Sequence, residues 1–454
     1  MKTVKMLALG IVVFLAADGS MRAQSTNGPL PQELLRPLSL VDALNTALQR
    51  NATILKARDD LQAAYGLVVQ TRAVALPHVQ AAGQYKDTEP SAIESIGPFT
   101  PAHQNWTAGV QIVQTIYNGG KLTAALRAAR LTREQALAQY QTVLADTLLA
   151  VRVAYYDVLL AAQQITVHQA SVNLLQRELE DQQRRYRAGT VPHFNVLRAE
   201  VALANERPAL IQARNNYRIA KNNLSNLLGW NLPHEVWEDI PMNLSDTLDA
   251  APFEVNLPDA IGQALARRTE LTALRRAEAL RQLDIVNAKS GYKPAVQLFA
   301  GYNWYNSQFV APNDQGYYFH GWNAGAQLSW DIFDGLLTHG RVVQAQALYD
   351  KSRTDLADEA RQIELQVRTA YSQFVEAKEV LDSQQKVQEE AEEALREARA
   401  RAEAGTGTQL DVLDAETALT QARTTQTQAL HDYDVARARL ERAMGADLAP
   451  ISEK

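Results

Sequence analysis

Cysteine is absent from the 454 residues. No disulfide can staple the fold, and no thiol is available to carry a lipid at a mature N-terminus. Past the N-terminal region no stretch of about 18 apolar residues occurs, so no transmembrane helix is available. A membrane span would have to be built from strands. An excess of positive charge is also missing: 45 Lys and Arg stand against 51 Asp and Glu, a net charge of −6. That argues against a nucleic-acid partner. The 8 histidines (His78, His103, His168, His193, His234, His320, His339 and His431) are scattered, and only 5 methionines accompany them. None of the histidines forms an i, i+4 pair, and no Gly-rich phosphate loop ending in Lys-Ser or Lys-Thr is present, so neither a metal centre nor a nucleotide site is predicted. The expectation is a protein that is not an enzyme and that holds no cofactor and no metal.

What is present starts at the N-terminus. Lys2 and Lys5 precede the apolar run MLALGIVVFLAA, with small residues after it. This is the pattern of a secretory signal peptide, placed at residues 1–23, and at about 12 residues the run is too short to span a bilayer as a helix. An N-terminal tail over 24–37 follows.

The remainder is written twice. LVDALNTALQRN from Leu40 matches LPDAIGQALARR from Leu257, and WTAGVQI from Trp106 matches WNAGAQL from Trp322. IYNGG from Ile116 matches IFDGL from Ile332, and AGTVPHFNVLRAE from Ala188 matches AGTGTQLDVLDAE from Ala404. Landmarks kept in register over such a period indicate a duplicated domain or half-domain. Repeat 1 is predicted over 38–229 and repeat 2 over 257–445. Between them lies a proline-punctuated connector over 230–256, and a C-terminal tail covers 446–454.

Each repeat reads as a helix, two strands, a very long helix, a tight turn and a returning helix. The first helix is predicted as one piece of about 36 residues, Ser39 to Leu76. The long helix, from about Gly120 to Ala188, carries an alanine-rich seam with coiled-coil spacing: Leu122, Leu126, Ala129, Ala136, Tyr140, Leu144, Leu148, Val151, Tyr155 and Val158. At 1.5 Å per residue it would be roughly 100 Å long.

The strand segments, predicted near 77–88, 104–116, 294–306 and 319–333, alternate with period two. In WNAGAQLSWDIF, Trp322, Ala324, Ala326, Leu328, Trp330 and Ile332 share one face; Asn323, Gly325, Gln327, Ser329 and Asp331 share the other. VQLFAGYNWYN from Val296 alternates likewise, with Phe299 the one breach. Such runs suit either a half-buried soluble sheet or a transmembrane β-barrel strand. Trp106, Tyr302, Trp304, Trp322 and Trp330 suit the aromatic girdle of a membrane interface. Four strands cannot close a barrel, whose smallest transmembrane form has about 8, and an open sheet edge is costly in lipid. Strands that span a membrane must therefore be pooled between chains. The rival reading is a soluble periplasmic coiled-coil scaffold.

In their order these features resemble the TolC-like outer-membrane efflux proteins, along nearly the whole chain from about Leu38 to Gly445. The resemblance implies a mainly α fold with a four-stranded β contribution: a homotrimeric periplasmic α-barrel joined to a shared 12-stranded transmembrane β-barrel. It implies an exit duct for tripartite efflux or type I secretion, set in outer-membrane lipid, not lipidated here, and extending into the periplasm. Its partners would be a periplasmic adaptor and an inner-membrane pump of the RND or ABC type. The two Ala-Gly-Thr turns, tip hairpins 188–196 and 404–412, would form the periplasmic entrance. Gly189, Thr190, Val196, Leu197, Gly405, Thr406, Val412 and Leu413 would meet the adaptor. Asp411 and Asp414, three residues apart, would ring the pore. The family's lock, a tyrosine and an arginine against an aspartate, falls here on Ala402, Gly407 and Asn195, so it cannot form in that way. Arg198 stands where repeat 2 has Asp414. A lock of reversed polarity is expected, with Arg198 reaching Asp411 or Asp414 of a neighbouring hairpin.

Overall fold

A computed structural model describes residues 36–94, 101–230, 239–306 and 318–446. The predicted signal peptide, most of the two tails and part of the connector lie outside these residues. Repeat 1 runs α1 (Leu40–Arg50), α2 (Ala52–Ala73), β1 (His78–Asp87), β2 (Gln104–Asn118), α3 (Lys121–Arg187) and α4 (His193–Leu228). Repeat 2 runs α5 (Leu257–Arg267), α6 (Thr269–Lys289), β3 (Ala295–Asn306), β4 (Tyr318–Ser329), α7 (Leu337–Glu403) and α8 (Gln409–Ala443). No helix among the described residues is long and apolar enough to cross a membrane.

The helix expected from Ser39 to Leu76 is two helices. Asn51 ends α1 through its backbone N–H on the Ala47 carbonyl. Its side chain then starts α2 by accepting from the N–H groups of Thr53 at 2.8 Å and Ile54 at 3.2 Å. The same carboxamide donates to the Leu227 carbonyl at 2.6 Å, which ties the junction to α4. In repeat 2 the break falls on Arg268, which is buried and donates to Glu270, Gln366 and the Ala443 carbonyl. Both breaks let a short helix fold back onto the long ones while its terminal polar groups stay bonded.

α3 and α7 are 67 residues each, roughly 100 Å of continuous helix. Their starts explain the Asn-Gly-Gly and Asp-Gly-Leu triplets. Asn118 accepts from the Leu122 N–H and Asp334 from the Thr338 N–H, both at 2.8 Å. The turn between strand and helix needs two left-handed residues: Gly119 and Gly120 in one copy, Gly335 and Leu336 in the other. α3 packs on α2, α4, α6 and α8, and α7 on α5, α6 and α8. Two cores sit at mid-length. One gathers Leu148, Val151, Tyr155, Val158, Leu224 and Leu228 under connector residues Ile240, Met242 and Leu248. The other gathers Ile363, Val367, Phe374, Tyr433 and Leu440. The connector straps both, accepting from the Tyr433 hydroxyl at Ala251 and from the Tyr217 hydroxyl at Met242. Of the predicted seam, Ala129, Leu148, Val151, Tyr155 and Val158 are buried. Leu126 is 42% exposed.

The four strands form one antiparallel sheet in the order β1-β2-β3-β4, so β1 and β4 are open edges. The long helices continue from one end of this sheet.

Candidate functional site

Residues paired across an antiparallel sheet point to the same side. Val79 pairs with Ile112, Ile112 with Ala300, and Ala300 with Ala324. The next row is Ala81, Val110, Tyr302 and Trp322. The alternation read strand by strand therefore merges into one apolar face across four strands. The opposite face holds Gln80, Gln111, Gly301 and Asn323 in one row and Ala82, Gly109, Asn303 and Gly321 in the next. Asn303 donates to the Asn323 side chain at 3.0 Å. Its carboxamide occupies the space that a Cβ at Gly109 would take. Phe299, the breach in the pattern, lies on this polar face and fills the space above Gly325, its partner in β4.

The aromatic residues collect toward the two ends of the apolar face. Trp106 lies opposite Tyr85, and Tyr302 packs on Trp304 with ring centroids 4.7 Å apart. The Tyr302 hydroxyl meets His320, and Trp322 is 79% exposed. β4 stops at Ser329, so Trp330, expected inside the strand, sits just beyond it, where its indole N–H donates to the Tyr292 carbonyl at 3.2 Å. From Trp322 to Trp330 is roughly 26 Å along the strand direction, or roughly 20 Å of height at the tilt of a barrel strand. The two-faced pattern and the strand lengths thus suit a bilayer-spanning sheet.

At the far end of the helices the two turns are nearly superimposable in their bonding. Gly189 and Gly405 adopt φ of 74° and 76°. Thr190 N–H and hydroxyl both bond the Arg185 carbonyl, and Thr406 does the same to Arg401. This is a Schellman-type C-cap, which needs the glycine. The repeats differ in how the next helix starts. α4 begins after Pro192 with no side-chain cap. α8 begins with a capping box: Asp411 N–H donates to the Thr408 hydroxyl at 3.2 Å, and Thr408 N–H donates to the Asp411 carboxylate at 2.8 Å. Those bonds hold the Asp411 carboxyl below its usual range.

The tip residues sort by exposure. Val196, Val412 and Leu413 are buried against Leu175, Leu179, Leu395 and Leu419, so they pack the hairpins and do not face outward as expected for adaptor contacts. Gly189, Thr190, Gly405, Thr406 and Leu197 are exposed or nearly so. Arg198 lies over the Phe194 ring, 5.6 Å from its centroid. Arg198 and Asp414 line one groove of about 640 Å³ with Phe194, Leu197 and Leu410, and no ion pair joins them within the chain among the described residues. Asn195 is half-buried, and its N–H bonds the Pro192 carbonyl.

Behind the tips lie polar contacts between helices, some far apart in the sequence. Gln182 donates to Glu178 and Gln409, and Arg399 donates to Glu416, a residue only 3% exposed. Burial pushes the Glu416 carboxyl up, with Arg399 opposing. Thr408 and Asp411 had a readable signal, the T-x-x-D spacing of a capping box. The contacts between distant helices had none.

The profile of the family described as Outer membrane efflux protein matches residues 43–230 and 260–446 of this chain, once in each repeat. Outer membrane protein TolC of Vibrio cholerae serotype O1 is 25% identical over 422 residues, covering 90% of each chain. Cobalt-zinc-cadmium resistance protein CzcC of Cupriavidus metallidurans is 27% identical over 424 residues, covering 92% of this chain and 93% of its own. Among solved structures, the outer-membrane channel OprN superimposes with a TM-score of 0.75 at 22% identity, over 93% of both chains, a likeness of fold.

Proposed function

This chain belongs to the outer membrane efflux protein family, and from that premise we propose how it serves as an outer-membrane exit duct. The duct conducts passively and catalyses nothing; it lies in the outer membrane and extends into the periplasm. Three copies pool their four strands into a 12-stranded barrel, which removes the two open edges of each sheet. The α3 and α7 helices continue the barrel as a periplasmic tunnel. Residues 1–23 direct export. A periplasmic adaptor meets the exposed tip positions Gly189, Thr190, Leu197, Gly405 and Thr406 and links the duct to an RND or ABC pump.

One observation carries this reading: a sheet with an apolar face, a polar face and two free edges sits at the end of helices far longer than any compact fold requires. It is tested by fractionation and gel mobility. A heat-modifiable trimer in the outer-membrane fraction is expected; a soluble periplasmic monomer would refute it.

At the entrance, Asp411 is committed to capping its own helix, so Asp414 is the carboxylate left for the gate. Closure pairs Arg198 with Asp414 of a neighbouring hairpin, with Asn195 alongside. Each such exposed pair contributes about 1 kcal/mol or less, and a ring of them biases the closed state. Arg198→Ala should raise single-channel conductance in a planar bilayer, and an unchanged conductance removes this gate from the account.

A further inference from the structure

α3 belongs to repeat 1 and α8 to repeat 2, and they run antiparallel along a seam crossed by a series of polar rungs. From the sheet side toward the tips these are Asp146–Arg442, Arg152–Glu441, Asp157–His431, Ser171–Thr420 and the Glu178–Gln182–Gln409 set. Any movement of one hairpin relative to the other must shear these bonds. One rung is titratable near neutral pH. His431 is 8% exposed; its Nε2 lies 2.8 Å from an Asp157 oxygen and its Nδ1 3.0 Å from an Asp432 oxygen.

A neutral imidazole has one N–H and one lone pair, whereas the imidazolium has two N–H groups. With a carboxylate oxygen facing each nitrogen, only the protonated ring donates to both. The neutral ring sets a nitrogen lone pair against an anionic oxygen at one end. We propose that the α3–α8 seam is a proton-tightened latch: protonated His431 holds α3 to α8 through a charged bond to Asp157, and loss of that proton reduces the rung to a neutral hydrogen bond and loosens the two hairpins. This rests on the reading of the chain as a gated duct and adds a regulator far from its entrance.

The surroundings agree in sign. On α3, Tyr156 directly precedes Asp157 and Arg152 lies just over one turn before it; on α8, Asp434, Arg437 and Glu441 follow, and the connector brings Asp249 near Asp434. Arg152 and Arg437 are both bonded to Glu441, which offsets their positive charge near the ring. Burial pulls the His431 pKa down, but the bonds and charges of Asp157 and Asp432 outweigh it and leave it above its ordinary 6.5. Burial also pushes Asp434 up to about 6, against Arg437 and Arg152. A raised folded-state pKa contributes stability that is complete below the unfolded value and is lost as pH rises through the folded one. For Asp434 that window runs from 3.8 to about 6, and for His431 it lies above 6.5. Both groups favour the folded chain in acid, and His431 is the one that bonds across the seam.

The native chain has no cysteine, so Arg177→Cys on α3 and Ala418→Cys on α8, both exposed, give two clean spin-label sites across the seam. Label distances are measured in the full-length protein at about pH 5.5 and about pH 8.5, either side of the imidazole range. The distribution should lengthen or broaden at the higher pH. His431→Gln, which keeps a donor but cannot be protonated, should lose the part of the response above pH 6.5 and keep only the change through about 6 that belongs to Asp434. Asp157→Asn should fold normally and move the midpoint down toward 6.5. If His431→Gln follows the pH response of the parent protein, or if Asp157→Asn leaves the midpoint in place, the latch is refuted. Absence of bilayer conductance would instead refute the duct reading, and the label distances do not depend on it.

Discussion

Asn323 and Ala324 are neighbours on β4 whose side chains leave opposite faces of the sheet, so arginine at each in turn tests what each face meets. Ala324 lies in the apolar row with Val79, Ile112 and Ala300, at the middle of its strand. If that face meets lipid, Ala324→Arg places a guanidinium one row inside the Trp322 girdle, at a cost between the about 1 kcal/mol of the interface and the about 2–4 kcal/mol of the midplane per chain, repeated three times in a trimer. Asn323 lies in the polar row with Gln80, Gln111 and Gly301 and loses one exposed bond, from Asn303. Asn323→Arg should therefore cost less than about 1 kcal/mol per chain. The assay is the yield of heat-modifiable trimer in the outer-membrane fraction. Ala324→Arg should abolish or sharply reduce it, and Asn323→Arg should leave it near the parent level. Equal yields, or the reverse order, would refute the assignment of the faces.

Asn51→Ala removes the cap of α2 and strands the Leu227 carbonyl, for a cost of about 2–4 kcal/mol, read as a lower thermal midpoint by circular dichroism. A midpoint equal to the parent's would show that the junction does not depend on this side chain. Asp411→Asn and Asp414→Asn should separate two roles: the first should speed amide exchange over residues 408–411, the second should leave exchange alone. Because the Asp411 pKa is lowered from 3.8, its cap persists above that value and fails only in stronger acid, so the protection factors of the tip amides, taken against their intrinsic exchange rates at each pH, should not change between about pH 5 and 8. Equal exchange in the two variants would return Asp411 to the pore.

The mainly helical fold and the four strands were legible because their periods are strict. Side chains alternate with period two whatever the partner strand, so the faces read from Trp322 onward match the paired sheet. Phe299 looked like an error because Gly325, which makes room for it, is identified only by pairing. The break at Asn51 was invisible because the helical pattern runs through it, and its bond to Leu227 joins residues 176 apart. At the tips, Gly189 and Gly405 were readable from the turn chemistry they require. Asp411 was read for its spacing to Asp414, when Thr408 three residues before it held the stronger signal. His431 could not be singled out, since Asp157 lies 274 residues away and only folding brings them together.

The measurement that reaches the central claim most directly is the conductance of the purified full-length protein in a planar lipid bilayer. An outer-membrane duct predicts discrete, long-lived conductance steps from a trimer, raised by Arg198→Ala. A protein that forms trimers but never conducts, or that stays in the aqueous phase as a helical scaffold, would contradict the account.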